Sequence, residues 1–225
     1  MNPHQPPPIN GTLRNFSLRV PESIRECSGI EIFGKKIRSL VFSTDLSIIK
    51  NVNADAIIAV YPFTPQPIIT QALLMAADIP VFTGVGGGLT QGKRVVNLAM
   101  FAEMQGACGV VVNAPTQDEV IADVCDTIDI PVIVTVARAD TNYEARIRAG
   151  AAIFNVSAAA QTAEIVADIR KRFPSMPIIA TGGPNDESIR QTIRAGANAI
   201  TWTPPSNGEI FRDIMKAYRD GKPHP

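Results

Sequence analysis

The chain has 225 residues, of which 45% are hydrophobic, with 21 basic and 21 acidic side chains. This balance excludes the strong basic field that draws proteins to nucleic acids or anionic membrane surfaces, and no apolar run approaches the roughly 18 residues of a spanning helix. The two histidines, His4 and His224, lie at the chain ends, which argues against histidine catalysis and histidine-ligated zinc.

The three cysteines, Cys27, Cys108 and Cys125, have neither metal-binding nor disulfide spacing, as expected in a reducing compartment. The N-terminus is polar and proline-rich and lacks the apolar centre of a signal peptide. We therefore predict a cytoplasmic protein with no metal site and no evident cofactor.

Four segments are predicted along the chain. Residues 1–15 form a flexible, proline-rich terminus and residues 222–225 form a tail. Residues 16–37 contain "IEIFGKK", whose alternating pattern and Gly-Lys-Lys turn predict a short hairpin that closes the N-terminal mouth of the domain that follows. Residues 38–221 form that domain.

Short apolar runs rich in Val and Ile recur through residues 38–221 and alternate with amphipathic segments. Some runs begin with proline, as in "IPVIVTV", and others follow a Gly-Ala pair, as in "GAAIFNVSA". Such continuous runs are typical of strands buried on both faces of a parallel sheet. Eight strands, each followed by a helix, predict an α/β fold, a single (βα)8 TIM barrel. An open doubly wound sheet is the alternative, but it does not require such regular pairing.

Capping residues predict where the helices begin and end. The segment "TQDEVIADVCDTI" starts with Thr116 and has Glu119 three residues later, which is the spacing of a capping box. The segment "NDESIRQTIRAG" is predicted to begin at Asn185 or Asp186 and to end at Gly196. The last predicted helix is "EIFRDIMKAYRDG".

The stretch "GGGLTQGKR" is one residue away from a phosphate-binding loop, because Arg94 occupies the place of the hydroxyl residue that would hold magnesium. The interval between the third and fourth barrel strands is longer than the corresponding intervals later in the chain, and this stretch accounts for the difference. We predict a lengthened loop on the active face of the barrel. In it, Gly86 and Gly87 line the pocket and Lys93 and Arg94 approach an anion; a loop that only connects is the alternative.

A second glycine pair follows the seventh barrel strand, in "MPIIATGGPNDESIRQTIRAGANAITWTPPS". Thr181 ends that strand, and glycine lets the backbone approach an anion near the free N–H groups of a helix start. This stretch resembles the phosphate-binding barrel enzymes, among them the keto-deoxy-phosphogluconate aldolases and thiamine phosphate synthases. The resemblance implies that a substrate phosphate contacts two glycines of this turn and three residues after the eighth strand: Gly182, Gly183, Ser206, Asn207 and Gly208. A glycine turn kept only for packing is the alternative.

Two features depart from the aldolase pattern. The sixth strand carries Asn155 where those enzymes have a Schiff-base lysine, so class I aldolase chemistry is not expected. Trp202 replaces a small residue after the eighth strand, and it either lines the pocket or fills the barrel. The front hairpin "GIEIFGKKI" also resembles the one that leads into the barrel domain of hydroxymethylbutenyl diphosphate synthase, whose cluster-binding cysteine domain is not found in this sequence.

Polar side chains at the carboxyl ends of the strands are the catalytic candidates, because barrel active sites lie on that face. Asp45 is the leading proton-transfer group, since burial would raise its pKa toward neutrality; a helix N-cap is its alternative role. Asn113 and Asn155 can polarise a carbonyl group or stabilise an enolate. Arg138 can bind a carboxylate or phosphate, unless it pairs with Asp140 at the surface.

These residues favour an enzyme that binds a small phosphorylated metabolite and moves a proton beside its carbonyl group, as a lyase or isomerase. Lys93 would close over the ligand and Tyr61 would stack on it. A non-catalytic sensor of phosphorylated metabolites, a diphosphate-binding barrel and a flavin mononucleotide-binding barrel are the alternatives. No nucleic-acid or membrane partner is expected, and self-association through the barrel helices stays open.

Overall fold

The computed structural model describes residues 6, 7, 9, 11 and 18–224. Most of the predicted flexible terminus at 1–15, with His4, and the last residue of the tail therefore lie outside the described residues. The strands are β1 Ile30–Ile32, β2 Lys35–Ile37, β3 Ser39–Phe42, β4 Ala56–Ala59, β5 Val81–Gly86, β6 Gly109–Val112, β7 Val132–Val136, β8 Ile153–Val156, β9 Ile178–Thr181 and β10 Ala199–Trp202. The helices are α1 Leu46–Lys50, α2 Pro67–Ala76, α3 Lys93–Met104, α4 Asp118–Thr127, α5 Tyr143–Arg148, α6 Thr162–Arg172, α7 Asp186–Arg194 and α8 Asn207–Arg219.

Strands β3 to β10 form a closed parallel barrel in sequence order, with β10 paired to β3. The (βα)8 prediction is confirmed, and the open-sheet alternative is wrong. None of the helices in the described part of the chain is long and apolar enough to cross a bilayer.

The barrel interior is apolar toward the N-terminal ends of the strands. Alternate residues of each strand point inward, and those of this layer include Leu40, Phe82 and Ile133, each fully buried. The antiparallel pair β1–β2 adds Ile30 and Ile37 to the same cluster. The hairpin thus forms as predicted and contributes to the interior core. The outward-facing strand residues pack against the helices in a second cluster.

Residues 18–29 lie along the outside of the barrel, although the sequence predicted that the whole of 16–37 belongs to the hairpin segment. A 3₁₀ helix, Glu22–Glu26, buries Ile24. Ser23 Oγ donates a hydrogen bond of 2.7 Å to Asp186 at the start of α7. On the other side, the Leu18 N–H donates to the carbonyl oxygen of Asn51 at the end of α1. This segment therefore fills the space between α7 and α1. The predicted domain boundaries stay a prediction.

The predicted helix cap is confirmed for α7 and is wrong for α4. The Asn185 side chain caps α7 within a capping box, and Gly196 follows the helix with φ +114°. The capping box predicted at Thr116 is wrong, because α4 begins only at Asp118. The Thr116 hydroxyl instead donates to the Asn113 carbonyl oxygen at 2.8 Å, so it closes the turn before the helix.

Candidate functional site

The C-terminal mouth of the barrel is polar on one side. Two residues beyond the apolar inward layer, four consecutive strands carry hydroxyl or amide side chains that point inward: Thr135 of β7, Asn155 of β8, Thr181 of β9 and Thr201 of β10. They line a central pocket of about 280 Å³ together with Asn113, which follows β6. In register, Thr135 pairs with Asn155, and Thr181 with Thr201. The half of the mouth formed by β6 to β10 is therefore a continuous arc of uncharged polar groups.

Two of these polar side chains bury an oxygen atom that has no hydrogen-bond partner among the described residues. Asn155 and Thr201 are 8% and 5% exposed. The Asn155 amide nitrogen lies 3.4 Å from Thr135 Oγ1, which is a weak contact. Within the described residues, Asn155 Oδ1 and Thr201 Oγ1 are buried and have no partner. Such atoms are rare in folded proteins and need an explanation, and a pocket at a barrel's active face is where a ligand would supply one.

The other half of the mouth is apolar. Phe42, Ile58, Val60 and Val111 line the same central pocket. Among the described residues, the lining includes no Asp, Glu, Lys, Arg or His. A neighbouring rim pocket of about 690 Å³ shares Phe42, Val60 and Asn113 with it. The two pockets together suit a small ligand that is polar at one end and apolar at the other.

Asp45 lies in the rim pocket, but its carboxylate serves as a helix cap. Its Oδ1 accepts hydrogen bonds from the Ser47 hydroxyl and from the backbone N–H groups of Ser47 and Ile48, at 2.7, 2.9 and 3.3 Å. Its Oδ2 accepts one of 2.5 Å from the Asn207 side chain. These bonds, chiefly the one from the Ser47 hydroxyl, lower the pKa of Asp45. The predicted rise in its pKa is therefore wrong, since hydrogen bonding to the charged form outweighs desolvation.

Tyr61 lines the rim pocket and brings a hydroxyl group to it. Its Oη accepts a hydrogen bond of 2.8 Å from the Gln66 N–H. That bond uses an oxygen lone pair and leaves the phenolic proton to be donated elsewhere. Tyr61 can thus donate a hydrogen bond at the edge of the rim pocket. The sequence reading had expected it to stack on a ligand.

The Gly182–Gly183 turn lines an outer groove of about 750 Å³ beside α6 and α7, which shares Thr181 and Thr201 with the central pocket. A Cβ at Gly182 would lie 2.8 Å from Ile189 and Ile200, so packing by itself requires glycine there. The Gly182 N–H donates to the Thr201 carbonyl oxygen. Gly183 has φ +80°, and its N–H has no acceptor among the described residues. One of the two predicted backbone donors is therefore free to bind an anion.

The residues after β10 do not form the predicted phosphate site. Glu209 accepts hydrogen bonds from both the Ser206 N–H and the Ser206 hydroxyl, at 2.8 and 2.7 Å. Asn207 is bound to Asp45, and a Cβ at Gly208 would meet open space. Two carboxylates beside this helix start repel an anion. The predicted phosphate contacts at Ser206, Asn207 and Gly208 are therefore not favoured.

The lengthened loop after β5 is present, and Gly86 lines a small pocket of about 100 Å³ with Tyr61 and Asn113, but Gly86 and Gly87 also have structural roles. A Cβ at Gly87 would lie 2.1 Å from Thr116 Oγ1, and one at Gly86 would lie 2.8 Å from Val95. Both glycines have positive φ. Lys93 is the first residue of α3 and is exposed, and it contacts neither the central pocket nor the rim pocket.

Two other predicted residues lie away from the central pocket. The Arg138 guanidinium pairs with Asp140 at 2.6 Å, and their side chains are 78% and 67% exposed. The alternative role of Arg138, an ion pair with Asp140 at the surface, is therefore the one observed, and ligand binding by Arg138 stays a prediction. Trp202 follows the inward-facing Thr201 and packs against the outer core beside the groove.

Sequence reasoning missed Thr135, Thr201 and the apolar wall of Phe42 and Val60. The sequence signal that could have found them is the alternation of inward-facing and outward-facing side chains along each strand. Thr135 lies two residues after the inward Ile133, and Thr201 two residues after the inward Ala199. The sequence analysis considered mainly the polar residues at the carboxyl ends of the runs, and so it did not include Thr135 and Thr201.

No protein-family model matches the chain, and no curated protein is similar to it in sequence. Solved structures are similar in fold. A 2,3-dimethylmalate lyase of the PEP mutase/isocitrate lyase superfamily has a TM-score of 0.64 at 13% identity, covering 93% of this chain and 87% of its own. A phosphonopyruvate hydrolase complex with oxalate and Mg²⁺ has a TM-score of 0.63 at 12% identity, and the match covers 85% of this chain and 86% of the hydrolase. Phosphoenolpyruvate phosphomutase from Streptomyces platensis subsp. rosaceus has a TM-score of 0.61 at 14% identity, and the match covers 82% of this chain and 83% of the phosphomutase. At these identities the likeness establishes the barrel fold, and these proteins differ from the families named in the sequence analysis.

Because one of these structures contains Mg²⁺, the fit of such an ion to this chain can be judged from its donors. Magnesium in proteins takes oxygen ligands, usually including one or two carboxylates. In the described part of the chain, no three His, Cys, Asp or Glu side chains lie close enough to hold a metal. The rim carboxylates Asp45 and Glu209 are engaged as helix caps. These residues do not fit a magnesium site.

Proposed function

We propose that the chain is a lyase- or isomerase-type enzyme that acts on a small oxo compound with a hydroxyl group near its carbonyl group. The observation that carries this proposal is the pair of buried oxygens without partners, Asn155 Oδ1 and Thr201 Oγ1. Leaving a buried polar group unsatisfied costs about 1–3 kcal/mol. A ligand whose carbonyl accepts from Thr201 and whose hydroxyl donates to Asn155 would recover that cost.

The roles of the other groups follow from their positions. Asn113 lines both the central and the rim pocket, so its side-chain amide can donate a hydrogen bond to a substrate oxygen on which negative charge develops in the transition state. Neutral donors that are already in place stabilise such an oxyanion effectively in a pocket without bulk water. Tyr61 donates a hydrogen bond from its hydroxyl to the substrate oxygen on which negative charge develops, and Phe42 and Val60 contact the carbon chain. Asp45, with its lowered pKa, positions Asn207 and α1.

An anionic group of the substrate, a phosphate or a carboxylate, is proposed to lie at Gly183. The free N–H of Gly183 supports this position, because the residue is exposed and lines the outer groove. No cation lines the central pocket among the described residues, so an anion inside that pocket would be costly to desolvate.

The test is a thermal-shift screen with oxalate, oxaloacetate, phosphonopyruvate, 2,3-dimethylmalate, inorganic phosphate and flavin mononucleotide. A compound present at 100 times its dissociation constant stabilises the protein by about 2.7 kcal/mol. We expect at least one oxo acid to raise the melting temperature of the wild type and not of Asn155→Leu. Asn97→Leu, on an exposed position of α3, is the matched control. Turnover of that compound then tests catalysis, and equal shifts in Asn155→Leu and the wild type would refute the site.

A sensor without catalytic activity is the second candidate. It is favoured by one observation, the absence of ionisable side chains from the described lining of the central pocket. Such a protein would show the same thermal shift but no turnover, and Tyr61→Phe would leave its affinity unchanged. An enzyme would lose turnover in Tyr61→Phe while keeping most of the shift.

A further inference from the structure

Helix α8 has an apolar stripe that the described chain covers only in part, since Ile210 and Ile214 are half-buried and the Tyr218 hydroxyl is hydrogen-bonded to His224. None of its 13 residues, all of which are described, is buried. The stripe consists of Ile210, Phe211, Ile214, Met215 and Tyr218, and three of them, Phe211, Met215 and Tyr218, are 62%, 44% and 50% exposed. A stripe of this kind on a helix usually marks a face that packs against another element.

The space that α8 would take on its own barrel is already filled. In a (βα)8 barrel the eighth helix is expected between the seventh and the first. Here residues 18–29 lie there, held to α7 by an ion pair of 3.0 Å between Arg190 and Glu26. They are held to the end of α1 by a 2.8 Å hydrogen bond from the Val20 N–H to the Asn53 side chain. An intramolecular return of α8 to this position would have to displace buried side chains such as Ile24.

We infer that the α8 stripe packs against α8 of a second copy of this chain. The charges beside the stripe support this partner. At 3.6 residues per turn, Arg212 and Arg219 lie along one flank, and Asp213 and Asp220 lie along the other. In a parallel pair related by a twofold axis along the helices, the basic flank of each copy faces the acidic flank of its partner. The same surface is thus complementary to itself in both shape and charge.

The expected association is weak. A helix of 13 residues is about 20 Å long, so one helix pair buries less than the roughly 800 Å² per partner of a stable interface. The dimer should therefore dissociate on dilution. This inference does not depend on the proposed function, although α8 begins at the rim pocket through the contact of Asn207 with Asp45.

Sedimentation velocity of the full chain over a wide range of concentration tests the inference. We expect a monomer–dimer equilibrium whose dissociation constant rises about tenfold or more in Phe211→Ser, because buried aromatic side chains dominate such interfaces. Lys216→Glu is the matched control, since Lys216 lies on the helix face opposite the stripe. The affected residues are exposed, so the melting temperature at low concentration should stay unchanged. A wild type that is monomeric at every concentration would overturn the inference.

Charge inversion identifies the partner as a second copy. A chain carrying Arg212→Asp and Arg219→Asp has two acidic flanks, and a chain carrying Asp213→Arg and Asp220→Arg has two basic ones. We expect each to be monomeric by itself and a mixture of the two to form a heterodimer. A wild-type dimer that persists in both altered chains would place the interface elsewhere and refute the role of α8. Failure of the mixture to associate would equally contradict the pairing of the flanks.

Discussion

Because the Thr201 hydroxyl has no partner in the part of the chain that the structure describes, we predict that removing it increases the stability of the protein and weakens its binding of the ligand. Thr201→Val replaces the hydroxyl by a methyl group of similar size at a site that is 5% exposed. Since Thr201 Oγ1 has no partner in the described protein, the substitution removes an unsatisfied polar atom and loses no internal hydrogen bond. Removing a penalty of about 1–3 kcal/mol should raise the free energy of unfolding by an amount toward the lower end of that range.

The size of the effect can be read from the melting temperature. For a chain of this length, about 1 kcal/mol corresponds to a shift of roughly 2–4 °C. We therefore expect Thr201→Val to melt at least about 2 °C above the wild type without ligand. In the thermal-shift screen it should lose the stabilisation that the wild type gains from an oxo acid.

Thr83→Val is the matched control. Thr83 is 2% exposed, and its hydroxyl also has no partner among the described residues. It lies between Val81 and Val85, which belong to the outer core, so its side chain faces the helices and not the pocket. We expect the same gain in melting temperature with no loss of ligand-induced shift. If Thr201→Val is less stable than the wild type, or keeps its full ligand-induced shift, the assignment of this hydroxyl to the ligand is wrong.

Two further predictions concern Asp45 and the loop after β5. Because the pKa of Asp45 is lowered in the folded protein, the ionised cap contributes stability that is present above the unfolded value of about 3.9 and is lost as the pH falls through the folded value. Asp45→Asn should therefore lose less stability than the wild type in acid unfolding below about pH 4, and parallel curves would contradict the role of the cap. Gly87→Ala should lower the free energy of unfolding by about 1–3 kcal/mol, since φ is +103° and the new Cβ would clash with Thr116. Gly88→Ala, which meets open space, should change it little in urea unfolding, and equal effects would argue against the clash.

The fold could be predicted in detail because its signals are local. Continuous runs of Val and Ile mark strands that are covered on both faces, and "GAAIFNVSA" became β8 within the predicted run. Asn185 capped α7 because an Asn side chain can accept from the N–H groups of the first turn. Each of these signals depends only on residues a few positions apart.

The residues of the site could be predicted only where the side chain had no alternative partner close by in the sequence. Asn155 was found because it interrupts an apolar strand, and it lies in the central pocket. Arg138 and Asp45 each have a partner close by in sequence, Asp140 for the arginine and the first turn of α1 for the carboxylate. Whether such a side chain binds a ligand or a neighbouring residue depends on three-dimensional geometry, and the spacing of residues in the sequence does not specify that geometry.

The sequence by itself determined the eight βα units, their order and the absence of charge inside the strands, because periodicity and composition encode burial directly. Tertiary structure decided which side chains meet. Thr135, Asn155, Thr181 and Thr201 are far apart in the chain and form one polar arc only because barrel closure brings neighbouring strands into register. It also decided that residues 18–29 take the position between α7 and α1 and that α8 keeps most of its apolar stripe exposed. Two amphipathic segments can compete for one position on a barrel, and which one packs there depends on the contacts that each makes with the rest of the fold.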